Sequence, residues 1–417
     1  MSEEPADGAA VTSPFATKGP PSSALIEKVL RALPADPDVR LDEHTVEPLC
    51  RRLRESARLL ADFSLTDHPA DRAESFRYLL KMVTYAVDAG LLNSDPLEPM
   101  FSAPYRLHFL DWGGASPDGV YRRAVLRDDL AYRVYGRIGN ADYLSMDLRQ
   151  SSPQVTITPD QLALDAEGNF ELFLGGAPRD EQWWPLHPGT VGIVVREFFG
   201  DWIAAQRSHL RVECLDGATA PRPEYRADRV AAEYDVIGDW VLEGAVRYWI
   251  KVSEALTASI RNSFRTDLHR TETKLPVLTF GWFDLEPDEG LLIELPDPDA
   301  PFWGMHLTTA YWSTIDYANR LTTCNLAQAT PDPDGIFRIV VSARDPGVYN
   351  WLDTTGLHEG LIILRFCGAR SPVPPTASLV KLAELGERLP DARRCRPDER
   401  RAQIAERREG VSHMVCD

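Results

Sequence analysis

Residues 167–198 read EGNFELFLGGAPRDEQWWPLHPGTVGIVVREF, and residues 334–366 read DGIFRIVVSARDPGVYNWLDTTGLHEGLIILRF. Gly168, Phe170, Trp184 and Gly189 of the first stretch return as Gly335, Phe337, Trp351 and Gly356 of the second, each displaced by 167 residues (335 from 168, 356 from 189). A Gly behind an acidic residue, as in Glu167-Gly168 and Asp334-Gly335, marks a hairpin, because turns that need positive φ cost Gly nothing. Period-two alternation follows: Phe170, Leu172 and Leu174 share one face, and Phe337, Ile339 and Val341 share the other copy's face. The runs around Ile193-Val194-Val195-Arg196 and Leu361-Ile362-Ile363-Leu364-Arg365 are nearly continuous and β-branched, the signature of strands covered on both sides. The second copy carries two more residues before its closing Arg365 than the first before Arg196, the size of a bulge or a longer turn. A period this long exceeds any solenoid repeat severalfold, so the pattern predicts duplication of a whole domain. Trp184 and Trp351 read first as core plugs and second as ligand stackers.

The fold class expected is α+β, mainly β: two antiparallel β-sandwich or jelly-roll units, with an N-terminal helical cap and a helical segment between the units. Residues 1–22, rich in Ala, Ser, Pro and Gly, read as a disordered tail. Helical periodicity occupies 23–100; its third helix, about 69–91, places Phe76, Leu79, Leu80, Val83 and Val87 on one face. The first β unit spans 105–215, a helical connector 225–272, the second β unit 276–370, and a charged helical tail 371–417. The tail is expected to hold a weak helix at 376–388. DERRAQIAERRE, near 398–409, reads as a solvated helix before a partner surface.

The chain has 417 residues, 63 acidic against 45 basic, and a net charge of −18. That balance argues against non-specific binding to nucleic acid or to an anionic membrane surface. No apolar run approaches the ~20 residues of a membrane span. The opening MSEEPADGAAVTSPF has neither a basic region nor an apolar core and does not read as a secretory signal. Six scattered cysteines without a C-x-x-C pair suggest reduced thiols in the cytoplasm.

No familiar catalytic, phosphate-binding or metal-ligand spacing occurs, so no cofactor and no metal are expected. Two segments remain. The first runs from Asp111-Trp112-Gly113-Gly114 through Pro117-Asp118 to Tyr132-Arg133-Val134-Tyr135-Gly136-Arg137. Trp112, Asp118, Tyr135 and Arg137 are its candidate ligand-binding residues, against a reading as a solvated face with an Asp–Arg clamp. The second holds Trp303, His306, Tyr311, Trp312, Tyr317, Asn319, Arg320 and Asn325, the densest cluster of aromatic and hydrogen-bonding side chains. There Arg320 suits a bidentate clamp on an oxyanion, and His306 or Tyr311 could move a proton. The competing reading makes His306 a hydrogen-bonded strand residue and Asn319-Arg320 a turn tie.

These segments resemble a bacterial family known as domain of unknown function 1214. The resemblance rests on Phe302-Trp303, Asn319-Arg320, the Asp334-Gly335 hairpin, Ser342, Pro346-Gly347, Asn350-Trp351-Leu352 and Leu361 through Arg365. The run DWGGASPDGVYRRA is similar to the pattern preceding this domain in larger relatives. Their loop carries Asp-Asn and a further Asn where this chain has Ala115, Ser116 and Gly119, so part of that polar set is absent. The resemblance implies a jelly roll for the second unit and supplies no activity.

Three functions follow as expectations. The first is a cofactor-independent acid/base enzyme for an apolar or carbohydrate-like substrate in an aromatic-lined pocket, with His306, Tyr311 and Arg320 as its catalytic residues and Trp303, Trp312, Tyr317, Asn319 and Asn325 as ligand contacts. The second is a non-catalytic carbohydrate- or lipid-binding protein. The third is a structural or assembly protein, for which a homo-oligomer is the natural form.

Overall fold

The computed structural model describes residues 35–63, 68–88, 91, 95–102, 112–150, 154–216, 226–268, 276–370 and 372–416. The expected tail at 1–22 and the start of helical patterning at residue 23 lie outside these. Among the described residues, no helix is long and apolar enough to cross a membrane.

Eight strands build the first unit: β1 (Gly119–Val125), β2 (Tyr132–Arg137), β3 (Tyr143–Arg149), β4 (Val155–Ile157), β5 (Asn169–Leu174), β6 (Trp183–Trp184), β7 (Gly192–Phe198) and β8 (His209–Cys214). After a two-residue strand β9 (Ser263–Phe264), eight more build the second: β10 (Val277–Asp284), β11 (Glu289–Pro296), β12 (Phe302–Thr308), β13 (Thr323–Asn325), β14 (Ile336–Ser342), β15 (Trp351–Asp353), β16 (Glu359–Cys367) and β17 (Thr376–Lys381). The first unit has sheets ordered β1-β7-β3-β4 and β6-β5-β2-β8; the second has β10-β16-β12-β13 and β15-β14-β11-β17. Shifting every label of the first pair by nine yields the second pair. Pairing is antiparallel except β5 with β6 and β14 with β15, which are parallel in both units.

The repeated glycines explain themselves. Gly168 and Gly335 each take φ +81°, and Gly189 and Gly356 take +85° and +86°, values a Cβ disfavours. Each hairpin is closed by the same Asp: Gly168 donates to the Asp165 carbonyl (3.1 Å) and Gly335 to that of Asp332 (2.9 Å). The two extra residues of the second copy lengthen the strand itself, nine residues in β16 against seven in β7, and Arg365 takes the place of Arg196 opposite the neighbouring strand. The tryptophans slip by one. Trp183 donates its indole N–H to the Gly175 carbonyl (2.8 Å), whereas Trp351 donates to that of Ser342 (3.1 Å).

Each sandwich encloses its own core. Tyr132, Val134, Met146, Phe170, Leu172 and Ile193 fill the first; Leu291, Ile293, Trp303, Met305, Phe337 and Leu364 fill the second. Helices α1 (Glu47–Asp62) and α2 (Pro69–Val87) form the cap. The connector is α3 (Ala227–Asp239), a π-helical stretch (Trp240–Arg247) and α4 (Tyr248–Ile260) end to end. The face predicted for α2 is corrected: Phe76 and Leu80 are 45% and 70% exposed, while Tyr78, Met82, Tyr85 and Ala86 are buried. The aromatic side of that helix is the one with rings to stack upon.

Two corrections concern the tail. Residues 376–381 form an edge strand, β17, paired with β11, because Thr-Ala-Ser-Leu-Val-Lys has the β-branched content an edge accepts; the helical part there is a 3-10 turn (Leu382–Glu384) followed by α5 (Leu385–Arg388). The second unit thus runs beyond residue 370. The final helix, α6 (Pro397–Cys416), is docked rather than solvated, with Arg400, Arg407, Val411 and Met414 buried.

Candidate functional site

Both sequence-selected segments meet where the two sandwiches and α6 come together. Asp118, immediately before β1, is fully buried and accepts from Asn325 Nδ2 (2.7 Å), Trp202 Nε1 (3.0 Å) and Ser116 Oγ (3.4 Å). A Cβ on Gly304 of β12 would stand 2.5 Å from its Oδ2, so only glycine permits the loop to lie on that strand. Burial pushes the Asp118 carboxyl up to about 6, against the pull of Asn325, the Arg407 charge and Trp202.

Arg407 of α6 is the facing charge. It donates to the carbonyls of Thr323 (2.7 Å) and Tyr317 (3.4 Å) and to Gln328 Oε1 (3.4 Å), and its guanidinium lies 4.9 Å from the Trp202 ring centre. Burial lowers its pKa to about 10 while Asp118 opposes the shift. Its Nε is buried without a hydrogen-bond partner, a cost of about 1–3 kcal/mol for a donor left unpaired. One turn and more away, Arg400 grips Asp345 through two bonds (2.9 and 3.1 Å), and its guanidinium lies 5.0 Å from the Trp351 ring centre. Arg393 covers Tyr349 at 3.6 Å.

Between these anchors lies a cavity of about 210 Å³, lined by Trp202, Tyr349, Trp351, Gln328, Gln403, Glu406 and Arg407 among others. Three aromatic rings, amide groups and the two carboxylates of Asp201 and Glu406 line the same small space. Glu406 makes no hydrogen bond or ion pair among the described residues, although its charge acts on the neighbouring Arg407. The set offers stacking surface for C–H faces together with donors and acceptors for hydroxyl groups.

The expected catalytic residues do not assemble. His306 is fully buried on β12, and Arg365 Nη1 donates to its Nδ1 (3.1 Å) while Arg365 Nη2 donates to the Gly114 carbonyl. An arginine only donates, so the imidazole proton sits on Nε2. Burial first, and then the Arg365 charge, hold His306 neutral, well below the ordinary imidazole range. Tyr311 belongs to the helical cap: Ser75 Oγ donates to its hydroxyl (2.6 Å), its ring stacks on Tyr78, and burial pushes it up to about 12. Arg320 is exposed and pairs with Asp353 at 3.2 Å.

The remaining candidates divide similarly. Trp303 is enclosed in the second core against Phe337. Trp312 stacks on Trp249 at 4.4 Å and donates to Ser253 Oγ. Trp112 is wedged among Tyr85, Trp240 and Trp249. These rings fasten cap and connector to the second sandwich. Tyr317 packs edge-on to Trp202. With Asn319 and Arg320 it lines a separate groove of about 470 Å³ facing Glu74, Arg77 and Lys81 of α2. Asn319 bonds Asp316 and accepts from Arg408 (3.1 Å). Asn325 serves Asp118. Tyr135 lies beneath the Arg133 guanidinium (4.3 Å), and Arg137 is exposed in a third cleft. Sequence reasoning missed Trp202, Tyr349, Gln328 and Glu406. One signal was present: Arg400, Gln403 and Arg407 recur at helical spacing on one face of α6.

No protein-family model matches the chain, and no curated protein matches it. Among solved structures, the chain is similar to the crystal structure of an uncharacterized protein from Burkholderia cenocepacia. The likeness has 26% sequence identity and a TM-score of 0.74, over 82% of this chain and 98% of that one. A protein from Vibrio parahaemolyticus aligns over 81% of this chain and 100% of its own, with 12% identity and a TM-score of 0.42.

Proposed function

We propose that this protein binds a small neutral polyol, of the size and character of a single sugar ring, in the cavity under α6. The observation carrying this reading is the convergence of Trp202, Tyr349 and Trp351 with Gln328, Glu406 and Arg407 on one small space. At about 210 Å³ that space is below the roughly 300–1,000 Å³ of pockets for drug-sized ligands, which suits a compact ligand. Aromatic faces take the apolar side of a sugar, and amide, carboxylate and guanidinium groups take its hydroxyls. A binding role is favoured over acid/base catalysis because His306 and Tyr311 are both buried and each is bonded within the fold. Kinship with the domain of unknown function 1214 group belongs to the same proposal. It is supported by the motif set around Asn350-Trp351-Leu352, which contributes Trp351 to the cavity.

The test is saturation-transfer NMR of free monosaccharides and alditols with the full chain and with Trp351→Ala. At least one sugar is expected to bind the native protein, with affinity about tenfold weaker in the variant. Absence of binding across the panel, or equal binding by the variant, would overturn the assignment.

A further inference from the structure

A second concavity, of about 560 Å³, lies on the first sandwich, remote in composition from the aromatic cavity. Five parts of the chain supply its walls: the end of β2 and the turn after it (Arg137, Gly139), the segment leading into β8 (Arg207, Ser208, His209), Arg122 on β1, the hairpin residue Glu167, and His413 of α6. Glu167 is the acidic residue in its lining. In a chain of net charge −18, a concavity lined by three arginines reverses the prevailing field locally.

Two of the three arginines are free of ion pairing among the described residues, and the third, Arg122, is paired with Glu197. Arg137 and Arg207 have no hydrogen-bond or ion-pair partner among the described residues. Arg122 is 8% exposed; it donates to the Ser208 carbonyl at 2.8 Å and stands 3.2 Å from Glu197 Oε2. Glu197 in turn spends Oε1 on the Ser208 amide (2.8 Å) and hydroxyl (2.6 Å). Burial lowers the pKa of Arg122, Glu197 opposes the shift, and the neighbouring Arg207 charge adds to it. The Arg122 and Arg207 charges therefore repel, and an anion between them would relieve that repulsion.

The walls are pre-formed. Asn140 N–H donates to the Gln206 carbonyl (3.0 Å), Gln206 N–H to Asn140 Oδ1 (2.7 Å), and Gly139 N–H to Ser208 Oγ (3.0 Å). A Cβ at Gly139 would sit 1.8 Å from the Gln206 oxygen, so the two segments are locked together at a distance only glycine allows. A rigid wall fixes the backbone that carries the cations, so only their side chains remain to be ordered at binding.

We propose that this cleft is an anion site for a small metabolite bearing a multivalent oxyanion, phosphate or clustered carboxylates, gripped by Arg122, Arg137 and Arg207. Planar guanidinium forks match both oxyanions bidentately. The site is independent of the sugar-ring cavity, and each stands or falls alone.

The experiment is isothermal titration of the full chain with inorganic phosphate and, separately, with citrate, against sodium chloride at matched ionic strength. The native protein is expected to bind at least one of the two; which one identifies the oxyanion. Arg137→Gln and Arg207→Gln should each weaken binding about tenfold, while Arg320→Gln, in the groove beside α2, should leave it unchanged. Both cleft side chains are free of structural bonds, so the variants keep the fold, which a circular dichroism spectrum verifies. No heat with either anion, or binding that persists in the doubly substituted protein, overturns the proposal.

Discussion

Asp118 joins three parts of the molecule with one carboxylate: the loop before β1, Trp202 after β7, and Asn325 on β13. Its carboxyl rises from 3.8 to about 6 in the fold, so the folded state holds the proton more tightly than the unfolded chain. The stability linked to it is fully present below about pH 4 and is lost as pH rises through 6, by about 3 kcal/mol. Asp118→Asn cannot lose it. In urea unfolding, this variant should therefore gain on the native protein by about that amount between pH 4 and pH 7.5, and a difference independent of pH would contradict the assignment. At the same scale, Gly304→Ala should destabilise by more than about 2 kcal/mol, because its methyl meets an oxygen with no room to retreat; chemical denaturation measures it.

At the scale of elements, α6 is a strut. Arg400 and Arg407 thread carbonyls and carboxylates of the second unit, and Val411 and Met414 pack with Trp202 and Tyr317. Truncation before Pro397 should lower the melting temperature and accelerate amide exchange at 199–203 and 317–325, since both segments lose their cover; unchanged exchange there would show that α6 carries no structural weight. This helix also marks where sequence reading stopped. The sandwiches were legible because Gly168, Gly335 and the alternating runs are local signals with a fixed period. The exposed half of α6 is as charged as any solvated helix, and what distinguishes Arg400 and Arg407 is their partners, hydrogen-bonded residues 51 to 90 positions away. The aromatic candidates were misassigned for a related reason. Trp112, Trp303 and Trp312 look alike in sequence whether they line a hollow or fill one, and only the rings of Trp249 and Phe337 decide it.

At the scale of the molecule, the sandwiches are not beads on a string. Phe198 of the first unit meets Phe302 of the second at 5.6 Å beside Cys367, and Arg365 reaches the Gly114 carbonyl. Calorimetry should accordingly show one cooperative transition for both units; two resolved transitions would mean that the junction contributes little.

Asp147 and His306 occupy matching places on β3 and β12, beneath Arg196 and Arg365 respectively. In the first unit the acid binds its arginine within the sheet; in the second a neutral ring leaves the guanidinium a hand to extend outward, and it clasps the incoming main chain of its sibling. The halves have thereby stopped being interchangeable. A tandem of two first copies would put a carboxylate under that arginine, fold the hand back inward, and leave the pair without its clasp.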